Sequence, residues 1–182
     1  LSKPEVNTEF CGNIFPTDGA EIYLRRDLAM SPVKAYSWNG VEGESEEEFG
    51  KVVVVKEFSK GETMKVNPGE TLVVDFGQNA SAVPSFLFKA AAGTVLTCLP
   101  SEILNDGNGA RSRGMDGPEG SCHRLNLRTP VNGMRILYTF ADSKDFVSYY
   151  PHCTFFGYRY VSVTADGPVE IKSIESIPLT SF

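Results

Sequence analysis

The sequence has little of what would assign it a chemistry outright. No stretch of its 182 residues approaches the ~20 consecutive apolar residues that span a bilayer, so no membrane span is expected and the chain reads as soluble. The N-terminus lacks the basic and then apolar pattern of a signal peptide; in a longer parent an export signal would lie upstream. Cations are in the minority, 17 Lys and Arg against 23 Asp and Glu, for a net charge of −6. Nucleic-acid binders need clustered Lys and Arg to displace phosphate counterions, and the nearest cluster, Arg111, Arg113, Arg124 and Arg128, is thinly spread. Nucleic acid is therefore not an expected partner. Cysteines are few and scattered: Cys11, Cys98, Cys122 and Cys153 form no Cys-x-x-Cys pair and have no histidine at zinc-finger spacing. They read as small buried hydrophobes, with a single disulfide as the alternative. Long amphipathic helices are missing too. The best short candidate is residues 20–29, where Ile22, Tyr23 and Leu28 are scattered apolar positions and Pro32 would end any helix.

What is present is a succession of short β-prone segments, punctuated by Gly, Pro, Asn and Asp, from about residue 52 onward. That texture predicts an all-β fold, an antiparallel sandwich or barrel. Residues 52–55 are four valines, which suits a strand covered on both faces or in a sandwich core. Asn67-Pro68-Gly69 is a turn sequence, with 64–66 before it and 71–74 as the returning strand. Further strands are predicted over 85–90, 94–99, 135–140, 146–150, 158–164 and 169–177. In the penultimate one, alternation places Tyr158, Tyr160 and Ser162 on one face and Arg159, Val161 and Val163 on the other. The last strand, after the Asp166-Gly167-Pro168 turn, reads as apolar at its start and exposed later. Residues 1–50, with Pro4, Pro16 and Pro32, read as an extended, irregular lead-in packing on the sandwich of residues 51–182; alone, such a segment would be marginal. The acidic run from position 42 to 48 sits among Gly and Ser and reads as a solvated loop.

The candidate site residues gather at predicted strand ends and loops. Asp75-Phe76-Gly77-Gln78-Asn79 closes a Val-rich strand, so Asp75, Gln78 and Asn79 would stand at a sheet rim, with Gly77 permitting a bulge and Asp75 capping local N–H groups. A polar corner is the plain reading; a sugar- or Ca²⁺-binding rim is the functional one, because hard cations and sugar hydroxyls both take carboxylate and amide oxygens. Glu102 and Asp106 are further ligand candidates, although Asn105-Asp106-Gly107-Asn108-Gly109 lacks the ligand spacing of a Ca²⁺ loop and reads as turn chemistry. No cofactor beyond that Ca²⁺ is suggested. Arg159 is expected to stack on an aromatic neighbour or to pair with Asp75 or Glu102. The aromatics between Tyr149 and Tyr160 read as core rather than as a stacking platform. Trp38, the only Trp, is the candidate for an exposed sugar-stacking or domain-contact residue. Glu102, Asp106 and Asp116 are the carboxylates that could do glycosidic chemistry, but nothing in the sequence pairs them across a bond, so no catalytic residue is assigned.

Taken in order, Asp75-Phe76-Gly77-Gln78-Asn79, Ala92-Gly93-Thr94-Val95, residues 101–107 (Ser-Glu-Ile-Leu-Asn-Asp-Gly) and residues 150–161 (Tyr-Pro-His-Cys-Thr-Phe-Phe-Gly-Tyr-Arg-Tyr-Val) resemble the β-sandwich accessory domain of bacterial α-L-rhamnosidases. The likeness runs from about residue 52 to the C-terminus and departs at Ala80-Ser81-Ala82-Val83-Pro84, where many relatives have a Gly and an aromatic residue. It implies a concanavalin-like, jelly-roll-type sandwich that precedes an (α/α)6 barrel in the same polypeptide, with the general acid and base on that barrel. The expectation is a non-catalytic domain supporting the barrel of an enzyme that cleaves rhamnose-containing glycans; the alternative is a rhamnoside-binding module assisted by Ca²⁺. Such a parent would work in the periplasm or outside the cell rather than in the cytoplasm. A docking domain should also bear an apolar patch, expected around Trp38 or around Ile177, Leu179 and Phe182.

Overall fold

The computed structural model describes residues 12, 13, 15, 16, 18–125, 127, 134–141 and 145–181. Pro4, Cys11, Arg128 and Phe182, which figured in the expectations above, lie outside them. The fold is an all-β antiparallel sandwich, as its punctuated β-branched segments predict. In chain order the strands are β1 (Ile22–Leu24), β2 (Lys34–Glu42), β3 (Lys51–Glu57), β4 (Met64–Val66), β5 (Thr71–Ala90), β6 (Val95–Ser101), β7 (Ile103–Leu104), β8 (Cys122–His123), β9 (Ile136–Thr139), β10 (Val147–Tyr149), β11 (Phe156–Ala165) and β12 (Val169–Ser181).

The organising element is β5, 20 residues long. Its first part pairs with β2 on one side (Thr71 with Trp38, Asp75 with Lys34) and with β11 on the other (Leu72 with Val163, Asp75 with Tyr160). Its second part pairs with β12 on one side, from Ala82 with Pro178 to Ala90 with Val169, and with β10 on the other, through Phe86 to Phe88. β6 joins the far edge of β11, β9 joins β6, and β1 and β4 both pair with β12. Because both parts of β5 contribute to one core, through Leu72, Val74 and Phe76 and then Ala82, Phe86 and Phe88, the sheet curls around its own apolar face. The opposite face of the first part carries a small second cluster of Tyr36, Val52 and Val73, with Trp38, Leu104 and Cys122 packed against it.

Several local expectations are corrected. The segment from Asp75 to Pro84 is not a strand exit and corner but the middle of β5. Phe76 to Asn79 stand opposite Arg159 alone, so the polar segment is a wide bulge, made accessible by Gly77 at φ +80°. The register shift also breaks the alternation read in β11: Tyr158 lies in the same core as Val161 and Val163, not on the face of Tyr160. A one-residue bulge in β12 between Ile171 and Ser173 changes its phase, so Ile174, Ser176 and Ile177 are buried and the strand does not become exposed where expected. The Asn67-Pro68-Gly69 turn forms, with Glu70 N–H donating to Asn67 O at 3.0 Å, yet β4 before it pairs with β12 rather than with the strand that follows. The predicted helix is reduced to a 3-10 turn, Arg26–Leu28, after β1. Within the stretch read as lead-in, β2 is a full member of the sheet between β3 and β5. Of the four valines only Val52 is buried, in the second cluster with Tyr36 and Val73, and Val53, Val54 and Val55 are exposed. β-branching makes a segment extended without saying that anything covers it.

Candidate functional site

The bulge in β5 places its polar side chains against β11. Arg159 Nε and Nη2 each donate to one oxygen of Asp75 at 2.8 Å, a bidentate fork that fixes the carboxylate plane as well as its charge. Asp75 Oδ1 also accepts from Gly77 N–H at 2.6 Å, closing the bulge, and the Arg159 guanidinium lies 4.9 Å from the centre of the Tyr160 ring. The expected stacking and pairing thus both occur. Burial opposes ionisation of Asp75, but the Arg159 hydrogen bonds and the Gly77 N–H outweigh it and hold the carboxyl below its ordinary range. Asn79 Nδ2 reaches Glu102 Oε1 at 3.5 Å, and Gln78 is exposed beside it. The bulge in β5 thus carries two pairs, Asp75 with Arg159 and Asn79 with Glu102, in mid-strand rather than at a sheet rim.

The other two candidates lie elsewhere. Asp106 caps its own turn, accepting from Asn108 N–H at 2.9 Å, as the Asn-Asp-Gly sequence predicts. Trp38 is not the exposed platform expected: it is half-buried on the second cluster beside Leu104 and Cys122. Cys98 is buried as expected, whereas Cys153 is exposed; Cys98, Cys122 and Cys153 are all free thiols. Among the described residues no three His, Cys, Asp or Glu side chains gather to hold a metal ion.

Two features were not legible in the sequence. The first is a polar knot between β7 and β8. Asn105, 2% exposed, donates from Nδ2 to Asp116 Oδ1 and to Ser121 Oγ, both at 2.9 Å, and its Oδ1 accepts from Asp116 N–H at 3.2 Å. His123 Nδ1 stands 3.0 Å from that same Asn105 oxygen, which as an acceptor assigns the proton to Nδ1. Asp116 Oδ2 accepts the backbone N–H groups of Arg124 and Leu125 at 2.6 and 2.8 Å. Gly117 leaves the necessary room, since a Cβ there would meet Ser121 Oγ at 2.8 Å. The second feature is a cleft of about 540 Å³ where β1 meets the end of β12, walled by Tyr150, His152, Thr154 and Phe155 and floored by Leu24 and Leu179. Tyr150 and His152 stack with ring centres 4.4 Å apart, so part of the aromatic stretch read as core faces outward.

The family profile described as the bacterial alpha-L-rhamnosidase concanavalin-like domain matches residues 49–179. The chain belongs to this family. The sandwich also matches solved structures. It superposes on a rhamnosidase from Klebsiella oxytoca with rhamnose bound, with a TM-score of 0.55 at 14% identity, over 88% of this chain and 30% of that one. A GH78 family rhamnosidase of Bacillus sp. GL1 is matched with a TM-score of 0.44 at 24% identity, over 61% of this chain and 10% of that one. No curated protein matches. This chain thus spans less than a third of the length of the Klebsiella chain, and that superposition supports the fold. Within this family framework Asp75 and Arg159 join β5 to β11 at the point where their register changes. No helix among the described residues is long and apolar enough to cross a membrane.

The Asp75 and Arg159 pair leads to a stability prediction with a defined pH window. The folded carboxyl titrates below its ordinary ~3.9, so its contribution is fully present above that value and is lost as pH falls through the folded pKa. Arg159→Ala is expected to lower stability at pH 7 by about 1–2 kcal/mol, a figure reduced because the Arg159 side chain is 39% exposed. Urea titrations at pH 7 and pH 2.5 check this: the difference between wild type and variant should shrink at the lower pH, and an undiminished difference would assign the loss to packing of the arginine stem.

Proposed function

We propose that this chain is a non-catalytic β-sandwich accessory domain of a multidomain α-L-rhamnosidase, supporting a catalytic barrel carried by the same polypeptide. The parent would act on rhamnose-containing glycans outside the cytoplasm. The observation that carries the reading is the engagement of the carboxylates in the polar sites. A glycosidase sets two carboxyl groups about 5–10 Å apart across one bond and keeps a proton on one of them near neutral pH. Here Asp75 is forked by Arg159 and held ionised, Asp116 accepts three N–H donors, and the 540 Å³ cleft is lined by no carboxylate. A smaller cleft of about 200 Å³ does contain Glu62 and Glu175, but the Lys56 ammonium and the Ser59 N–H lower the pKa of Glu62. That is the wrong direction for a proton donor.

The test is an assay of the purified domain on an aryl α-L-rhamnoside beside Glu102→Gln and Asp106→Asn. The expected rate is that of the solution without protein, in all three cases. Turnover that co-purifies with the domain and disappears in either variant would overturn the reading.

A further inference from the structure

Two asparagine-glycine pairs lie among the described residues, Asn39-Gly40 in β2 and Asn108-Gly109 in the loop after β7; a third, Asn132-Gly133, lies outside them. Such a pair carries its own electrophile and its own nucleophile. The glycine backbone nitrogen can attack the side-chain carbonyl carbon of the asparagine, and no Cβ on the glycine hinders the approach. This reactivity makes asparagine one of the thermolabile residues. The five-membered ring closes only where the side chain and the following peptide can turn toward each other, so the surroundings decide which pair reacts.

Those surroundings differ. Asn108 is tied through its backbone and its side chain: its N–H donates to Asp106 Oδ1 at 2.9 Å, its Oδ1 accepts from Arg113 at 3.5 Å, and its carbonyl accepts from Ala110 N–H at 2.5 Å. Gly109 is buried and its carbonyl accepts from Phe49 N–H at 3.0 Å. A Cβ on Gly109 would meet Asp106 O at 3.4 Å and Gly50 O at 3.8 Å, so little room surrounds this peptide. At Asn39 the two strands of the hairpin fall out of step. Trp38 stands opposite Val54 and Val41 opposite Val52, which leaves Asn39 and Gly40 facing Val53 alone, and the pairing of β2 with β5 ends at Trp38. Both residues are exposed, and the Asn39 amide makes no side-chain hydrogen bond among the described residues. Nothing lies within 4 Å of where a Cβ on Gly40 would be. The bulge also requires the reactive glycine, because Gly40 sits at φ +83°, in the left-handed region that other residues enter at a cost.

We propose that Asn39 is a site of spontaneous deamidation, through a succinimide, in the folded domain. The Gly40 nitrogen gives up its proton to water and bonds to Asn39 Cγ; the Cγ–Nδ2 bond breaks and ammonia leaves. Water then opens the ring at either of its two carbonyls, leaving an aspartate or an isoaspartate at position 39. One ammonia is lost for one water gained, with no change of oxidation state. The product adds a negative charge to the exposed hairpin of β2 and β3. The isoaspartate form also adds a methylene to the backbone, at a point where β2 has no residue-for-residue partner to displace, so the sandwich is kept.

The experiment incubates the purified chain at mildly alkaline pH, once folded and once in urea, and follows the conversion of amide to acid at each asparagine by peptide mass spectrometry. In the folded chain Asn39 should convert at least about tenfold faster than Asn108, since small misplacements of reacting atoms slow an intramolecular attack by such factors. In urea the two rates should converge, because both sites are then an asparagine followed by glycine in an open chain. Equal rates in the folded chain would overturn the proposal, and so would an Asn39 that stays intact when folded but converts in urea, since the bulge would then protect the pair instead of exposing it. A difference that persists undiminished in urea would also overturn it, by assigning the selectivity to local sequence rather than to the fold.

Discussion

Phe88→Ala should be the most damaging single truncation in the sandwich, costing about 3–5 kcal/mol. Phe88 is fully buried and its ring meets four others edge-on: Phe86 at 5.3 Å, Tyr138 at 4.8 Å, Phe140 at 4.7 Å and Tyr149 at 6.4 Å between centres. Those rings come from β5, β9, the residue just after β9, and β10, so one side chain ties the second part of β5 to strands distant in sequence. Removing it leaves a cavity that β-sheet backbones, locked by their ladders, cannot close, and it also removes edge-to-face contacts worth about 0.5–1.5 kcal/mol each beyond burial. Urea unfolding is the measurement: the midpoint should fall sharply while the m-value stays near wild type. A loss under about 1 kcal/mol would mean that the four rings repack without Phe88.

The second large effect is expected at Asn105. Asn105→Ala removes the hub that connects Asp116, Ser121 and His123, leaving a carboxylate oxygen and an imidazole N–H without their partner in a site that is closed to water on the Asn105 side. A buried polar group stripped of its hydrogen bond costs about 1–3 kcal/mol, more where a charge is involved, so a loss of about 2–4 kcal/mol is predicted. Asn105→Asp separates the contributions. It keeps the shape but sets a second carboxylate against Asp116, and by like-charge repulsion it should be worse at pH 7 than near pH 4. Thermal unfolding at the two pH values reads this out. An Asp variant equally stable at both would contradict the hydrogen-bond roles assigned to the knot.

How far the fold could be read from the sequence depended on whether the signal was local. β6, β9, β10, β11 and β12 were legible because β-branched and aromatic runs bounded by Gly, Pro and Asp report extended backbone directly. β5 was divided in two because Asp-Phe-Gly-Gln-Asn carries the residues of a turn. Only the pairing with β11 reveals that Phe76 to Asn79 bulge out and rejoin the same strand, and the burial phases of β11 and β12 depend on bulges that composition does not mark. The Asp75 and Arg159 pair could be anticipated, since a forked guanidinium seeks a carboxylate and few stood at a predicted rim. The polar knot could not: Asn105, Asp116, Ser121 and His123 follow no periodicity, and an Asn-Asp-Gly run points to a turn rather than to a buried side chain. The signal available in retrospect was Gly117 beside Asp116, a glycine whose absent Cβ makes space. The outward-facing cleft was obscured for a related reason, because aromatics at strand ends have the same composition as core.

Asp75, the most site-like carboxylate in the sequence, is a charged structural partner of Arg159 with no proton to donate. Carboxyl ¹³C NMR of the folded domain from pH 2 to 7 tests that directly. The Asp75 side chain should titrate with a midpoint below the ordinary ~3.9 of an aspartate, moving upward in Arg159→Ala. A wild-type midpoint raised above the ordinary value toward neutrality, where the group could act as a general acid, would contradict it.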